Sequence, residues 1–397
     1  MPLPTPFHPR TQARCESYAW KHWSGYYAVC HYDASPEREY NAVRNAAGLL
    51  DVTPLFKVDV SGPDAGALLD YVLSKPVSKL KRGRVTYLCW TDDRGKILDD
   101  GTCWRLGPDR WRLTAGAPCW FWLARHSALF GDVTIEDVTD RVAALALQGP
   151  TSRAILEDVC DADLGALSFF GLTSARFEGG VEGHITRTGY TGDLGYELWV
   201  DNAHALALWD LLMARGAAHG IWPIGLDTLD ICRVEAGFIL QGCDYVSAYD
   251  AEIDDQRSSP YELGLGWTVK LDRAPFIGQR ALAAEAARGS AWAFVGLDIA
   301  WEPFERLYAA HDLAPRLPSA AWRGLAPLHR GIRQVGRATS GAWSPILKKN
   351  LALATVEAEF AAPGTEMDIE VTVEWERKRV PARVTPLPFF DPPRKRA

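Results

Sequence analysis

The sequence predicts an α+β fold that gives way to an all-β C-terminal region. Three observations carry this. Two strand–turn–helix units, near residues 55–73 and 143–159, each enter the helix through Gly-Pro, at Gly62-Pro63 and Gly149-Pro150. The repetition suggests an internal duplication. Residues 185–200 show two alternating apolar–polar runs around a glycine-rich loop, the pattern of a β-hairpin. From about Gly289 onward the chain becomes short strand-like runs separated by Pro- and Gly-rich links. The expected division is a mixed core over residues 1–288 and a β domain over residues 289–397.

Taken in order, residues 15–35 are crowded with aromatics: Tyr18, Trp20, Trp23, Tyr26, Tyr27 and Tyr32. Ser35-Pro36-Glu37-Arg38 has the form of a helix start with proline in its first turn, and the helix is expected to reach Ala47 and stop at Gly48. Leu55 to Val60 alternates as a strand, and a helix follows from Ala65 to Leu73. Val85 to Cys89 and Ile97 to Cys103 form a hairpin through the turn Asp93-Arg94-Gly95, with Thr102 to Leu106 also strand-like. Arg110 to Thr114 is a strand, Ala117 to Leu129 a helix, and Ala143 to Leu147 an apolar strand. Helices are expected from His204 to Arg215 and from Leu226 to Ala236. Val295 to Ile299, Leu351 to Val356 and Asp368 to Trp375 are strands. Residues 301–334 carry no assignable pattern, and the tail Pro393-Arg394-Lys395-Arg396 is expected to fray.

Composition narrows the function classes. Hydrophobic residues make up 47% and charged residues 23% of 397, so a sizeable core is expected. The net charge of −7, with no long basic run before the tail, argues against a nucleic-acid partner. The N-terminal residues lack the apolar segment of a signal peptide, and no apolar run is long enough to span a membrane. The eight cysteines are scattered and none forms CxxC, so free thiols in a reducing cytoplasm are expected rather than disulfides or a metal site. Sixteen tryptophans point to an aromatic-lined cavity in addition to core packing.

Two places carry candidate chemistry. In the hairpin, Glu197 sits one residue inside the second strand, with Tyr190 and Tyr196 beside it. A sheet-fixed carboxylate there can accept two parallel N–H bonds, and Gly189, Gly192 and Gly195 would let a flat ligand or another backbone approach. A solvent-facing acid on a tight hairpin is the plainer alternative. The second place is Asp99-Asp100. Adjacent strand residues point to opposite faces, so at most one of them faces a given cavity. Arg233 and Glu235 are ionic groups on an otherwise apolar helix, as an internal ion pair would be.

These stretches coincide with the motifs of a known family. Thr186-Arg187-Thr188-Gly189-Tyr190-Thr191-Gly192 through Gly195-Tyr196-Glu197 resembles the folate-binding hairpin of the glycine-cleavage T-protein (aminomethyltransferase) family. Tyr40-Asn41-Ala42-Val43-Arg44, Gly95-Lys96-Ile97-Leu98-Asp99-Asp100, Leu147-Gln148-Gly149-Pro150, Arg233-Val234-Glu235-Ala236-Gly237, Thr339-Ser340-Gly341 and Pro388-Phe389-Phe390 are similar to further motifs of that family, in order along the chain.

The resemblance implies a three-domain ring of two related, intertwined α/β folate-binding domains and a C-terminal β-barrel, with tetrahydrofolate through the centre. It implies Asp100 as the catalytic carboxylate and Glu197, Tyr190, Tyr87 and Arg233 as folate contacts. The chain departs from the family pattern at Pro54-Leu55, at Leu229 where an arginine is usual, at Trp23-Ser24-Gly25-Tyr26-Tyr27, and in a longer segment from Gly242 to Ser259. These changes fall where the donor of the one-carbon group should sit. A small N-, S- or O-methylated donor is therefore expected, walled by Trp23, Tyr27, Leu55, Trp90 and Tyr245, and a lipoyl carrier protein is not. Aminomethyl transfer giving 5,10-methylenetetrahydrofolate, or folate binding without transfer, are the alternatives.

Overall fold

The structure, a computed structural model, describes residues 1–396. One mixed sheet, one antiparallel sheet and a barrel make up the frame. The six-stranded sheet runs Leu172–Phe177, Val181–Thr186, Gly195–Asp201, Val142–Gln148, Ala47–Asp51 and Ile221–Pro223 in spatial order, the last pair parallel. The five-stranded sheet runs Val85–Thr91, Ile97–Gly107, Arg110–Ala115, Phe56–Ser61 and Thr134–Asp137. The chain leaves the first sheet after Ala47–Asp51, builds the second, and returns with Val142–Gln148, so the two α/β units are intertwined in sequence. Six strands between Trp292 and Thr385 close into a barrel.

The Gly-Pro repeat has a physical basis. Phe56–Ser61 turns into helix Ala65–Val72 at Gly62 (φ +118°), and Val142–Gln148 turns into helix Ser152–Glu157 at Gly149 (φ +127°). A Cβ at either glycine would lie 2.3 Å from Asp132 O or 2.5 Å from Ala46 O, so both turns need a bare Cα. Each α/β unit thus packs its helix back over its own sheet. One core gathers Leu49, Leu145, Ile155, Leu198 and Trp209; the other gathers Val58, Leu68, Trp90, Trp111 and Leu123. Trp104 and Trp199 meet edge to face at 4.5 Å and join the two sheets, in a cluster that also takes in Val234 of helix Leu226–Glu235 and Leu351 and Leu353 of the barrel.

Several expectations are corrected. The helix from Glu37 ends at Asn45, and Gly48 lies within strand Ala47–Asp51, where a Cβ would press on Val43 at 2.7 Å and Ile224 at 2.9 Å. Residues 301–334 hold helix Trp301–Ala309 and barrel strand Trp322–Arg330. The tail is docked rather than frayed. Arg394 forms two hydrogen bonds to the buried Asp193, at 2.7 and 2.9 Å, and a third to Arg44 O at 3.1 Å.

Candidate active site

Asp100 lies on strand Ile97–Gly107, opposite Cys89 of Val85–Thr91. Both of its carboxylate oxygens are engaged by phenols. Tyr87 OH donates to Oδ2 at 2.6 Å and Tyr245 OH donates to Oδ1 at 2.5 Å. Asp99, on the other face, is held by backbone: Asp100 N–H donates to it at 2.8 Å and Ala117 N–H at 3.1 Å. The two acids are not isolated, however, since Tyr245 OH also lies 3.3 Å from Asp99 Oδ1. Burial pushes both carboxyls up, and the Asp100 charge takes Asp99 well above the usual carboxylate range. The phenol hydrogen bonds work against that rise at Asp100. Of the pair, Asp100 is therefore the one kept closer to its charged form.

Tyr245 owes its place to the barrel. The preceding residue, Asp244, accepts from Thr339 Oγ1 at 2.5 Å, from Ser340 Oγ at 2.7 Å and from the Arg233 guanidinium. The Thr339-Ser340 motif therefore fixes segment 240–245 and, through it, the phenol on Asp100. Arg233 itself is 1% exposed and bound by Asp230 and Asp244. Burial opposes its charge, but those two carboxylates outweigh it and raise the pKa. This corrects its expected role: Arg233 is a buried brace, with its donors committed to protein. Glu235 is likewise internal. It accepts from Tyr40, Arg44 and Ser344 and ties the first α/β unit to the barrel.

The hairpin presents Glu197 opposite Thr186. Its Oε2 accepts from Thr188 Oγ1 at 2.5 Å and from Thr186 Oγ1 at 3.3 Å, while Oε1 has no partner among the described residues. Burial raises the Glu197 pKa, against the pull of Thr188 and Thr186. The glycines serve a different end from the one expected. A Cβ at Gly189 or Gly195 would fall 2.0 or 2.2 Å from Gln148 Oε1, so they make room for a side chain of the protein. Gln148 in turn donates to Thr188 O at 3.2 Å and Tyr196 O at 3.3 Å, which pins the loop. Of the three, only Gly192 has positive φ (73°).

An aromatic region gathers around Asp100. Tyr190 stacks on Phe238 at 5.5 Å and donates to Ile239 O, and Ile239 packs in the same cluster as Tyr87 and Tyr245. Tyr190 is close enough to Asp100 for that charge to help raise its pKa, after burial and against Arg233. Trp267, which the sequence did not single out, is 54% exposed and stacks on Tyr87 with centroids 5.8 Å apart. Its position in Gly264-Leu265-Gly266-Trp267 was visible; its partner, 180 residues earlier in the chain by simple subtraction, was not.

The expected donor wall is not assembled as one surface. Trp90, 2% exposed, is a core residue of the five-stranded unit, because alternation turns it away from the face that carries Cys89 and Asp100. Tyr27 is 37% exposed and sits with Trp20 and His8 on the N-terminal arm. Leu55 and Trp23 pack against the central cluster. Trp23 nonetheless stands at the tip of hairpin Ala19–Trp23/Tyr26–His31, whose Ser24 Oγ donates to Gly116 O at 3.2 Å, near Asp99 and Gln241. Of the five expected wall residues, only Tyr245 touches Asp100 among the described residues, as a hydrogen-bond donor. A separate cleft of about 650 Å³ opens beside Asp59, Arg110, Arg112 and Arg176. Its arginines are already paired, Arg110 and Arg112 with Asp59, Arg141 with Glu136 and Arg176 with Glu182.

Comparison with known proteins settles the family. The GCVT N-terminal domain matches residues 7–273, and the glycine cleavage T-protein C-terminal barrel domain matches residues 313–391. The chain belongs to the glycine cleavage T-protein family. Members of the family similar to it include a trimethylamine-oxide aldolase of Ruegeria pomeroyi, 34% identical over 99% of this chain. The chain spans about half of that relative, 47% of its length. An aminomethyltransferase of Herpetosiphon aurantiacus is 36% identical, with 89% of each chain covered. The crystal structure of the aminomethyltransferase from Bartonella henselae superimposes with a TM-score of 0.82 at 25% identity, covering 98% of this chain and 99% of that one. Two α/β domains and a six-stranded barrel are thus the family architecture.

Proposed function

We propose that this protein is a tetrahydrofolate-dependent one-carbon transferase that unloads a small methylated donor, N-methylated compounds foremost. The observation that carries the proposal is the presence, on the two sheets, of a strand-fixed carboxylate with an oxygen that no described residue engages (Glu197) and a buried carboxylate held by two phenols (Asp100). The residues suit a pterin: an open Glu197 oxygen accepts N–H donors of an amidine-like edge, and Tyr190, two residues beyond Thr188 in the same hairpin loop, supplies with the stacked ring of Phe238 a flat apolar face. Tetrahydrofolate, when bound, supplies the ring nitrogen that takes up the one-carbon unit. Asp100 stabilises positive charge or accepts a proton there, and Tyr87 and Tyr245 keep its oxygens aimed. Most of the acceleration comes from holding two reactants in place.

The donor class follows the relative named for trimethylamine oxide. The aminomethyltransferase relatives favour a second reading, aminomethyl transfer to give 5,10-methylenetetrahydrofolate. Both readings need the Glu197 site. Calorimetric titration with tetrahydrofolate is expected to show binding that Glu197→Gln weakens by roughly 1.5–3 kcal/mol, the scale of hydrogen bonds to a charged group. Unchanged affinity in that variant would remove Glu197 from the site.

A further inference from the structure

The cleft between the two sheets, about 650 Å³, lies outside the one-carbon site, yet it has the size of a small-molecule site, roughly 300–1,000 Å³. Arg110 and Arg112 stand two apart on strand Arg110–Ala115, so both reach the cleft from one face of the sheet. Asp59, buried on the neighbouring strand, is the acid for both. Arg112 binds it through Nε at 2.6 Å and Nη2 at 3.1 Å, and Arg110 through Nη2 at 2.7 Å. One carboxylate between two guanidiniums leaves a positive charge over. Arg112 is 6% exposed, so water screens that charge poorly. His184 lines the same cleft from strand Val181–Thr186 of the other sheet. Its Nδ1 lies 3.3 Å from Ser174 Oγ, and its Nε2 has no partner among the described residues. Burial first, then the Arg112 and Arg110 charges, hold its pKa below the ordinary imidazole value, with Asp59 acting the other way. The remaining acids do not supply the missing charge. Glu136 and Glu182 are paired with Arg141 and Arg176. Asp161 and Asp201 lie exposed at the rim and accept backbone N–H groups, of Arg176 and Ala203.

We propose that Arg110, Arg112 and His184 form a second binding site, for the phosphate group of a small phosphorylated molecule. Guanidinium forks match phosphate oxygens, and His184 adds a ring N–H donor. The acids at the rim repel a long polyanion, which confines the site to one compact anionic group with the rest of the molecule filling the cleft. This site is independent of the tetrahydrofolate reading, although the two are neighbours. Trp199, which lines the cleft, donates its indole N–H to Thr186 Oγ1 at 3.2 Å, and that hydroxyl also binds Glu197.

The test is calorimetric titration of the full chain, at constant ionic strength, with inorganic phosphate and with glycerol 3-phosphate. The ester is expected to bind once per chain with a dissociation constant on the order of 1 mM or below, and more tightly than phosphate because it fills more of the cleft. The double variant Arg110→Gln/His184→Gln is expected to weaken the ester about tenfold or more while keeping its melting temperature. If that variant does not fold, Arg110→Gln, at an exposed side chain, serves for the same comparison. Glu197→Gln is expected to bind the ester as the wild type does. Failure of the wild type to bind the ester, or equal binding by the Arg110 variants, would overturn the site. So would loss of binding in Glu197→Gln, which would place the anion at the hairpin carboxylate instead.

Discussion

Removing the Tyr245 hydroxyl should change how Asp100 titrates. Tyr245→Phe deletes one of the two phenol donors to that carboxylate, and the weaker contact with Asp99. A hydrogen bond to a charged group is worth about 1.5–3 kcal/mol. Its loss should move the Asp100 pKa further up, because a donor to the charged form is gone. The sign can be worked from the folded and unfolded states. Burial already holds Asp100 above its ordinary value of 3.8, so the folded protein binds this proton more readily than the unfolded chain. The group therefore favours folding at low pH and opposes it once pH rises past its folded pKa. Losing the donor should deepen that opposition: the variant should be less stable than wild type by about 1.5–3 kcal/mol near pH 8, and by less as pH falls and Asp100 takes up its proton. Urea unfolding at several pH values measures the stability effect, and turnover against pH measures the pKa change, as an upward move of the acid limb. A stability loss uniform in pH, with the acid limb unmoved, would refute the clamp.

Two other changes follow from the same geometry. Asp100→Asn should lower turnover far more than it weakens folate binding, whereas Asp99→Asn should lose stability rather than turnover, because an amide can accept from only one of the Asp100 and Ala117 N–H groups that now share the carboxylate; rates, affinities and melting temperatures of the two variants separate these outcomes. Burial lowers the Lys57 pKa to about 7, with its ammonium on Thr53 O and Leu55 O, so the unfolded chain holds more protons above that pH and wild-type stability should rise from about pH 7 towards 10, by at most about 1.4 kcal/mol per unit. Lys57→Met should abolish that slope, which denaturant titrations at a series of pH values would reveal.

Much of the frame was legible because it is local. Period-two alternation placed Asp99 and Asp100 on opposite faces, and the paired Gly-Pro turns marked the two α/β units. What alternation cannot say is which face looks into a cavity, and Trp90 was misplaced for that reason. Helical spacing likewise could not reveal that Arg233 and Glu235 each find separate partners, on Asp230, Asp244, Arg44 and Ser344, rather than each other. The contacts that complete the site span long stretches of chain: Tyr245 reaches Asp100 from 145 residues away, and Asp244 is anchored by barrel residues 95 and 96 positions later. A basic tail looked free because its acceptor, Asp193, is buried some 201 residues earlier.

The central claim is one-carbon transfer to tetrahydrofolate at Asp100. It is tested most directly by incubating the protein with tetrahydrofolate and methyl-labelled N-, S- and O-methylated donors, trimethylamine oxide among them, and weighing the folate product. The account predicts label in 5-methyl- or 5,10-methylenetetrahydrofolate, the former from methyl transfer and the latter from the aminomethyl-type reaction, with formation greatly slowed in Asp100→Asn. A folate recovered unlabelled with every donor, or labelled equally fast by Asp100→Asn, would contradict it.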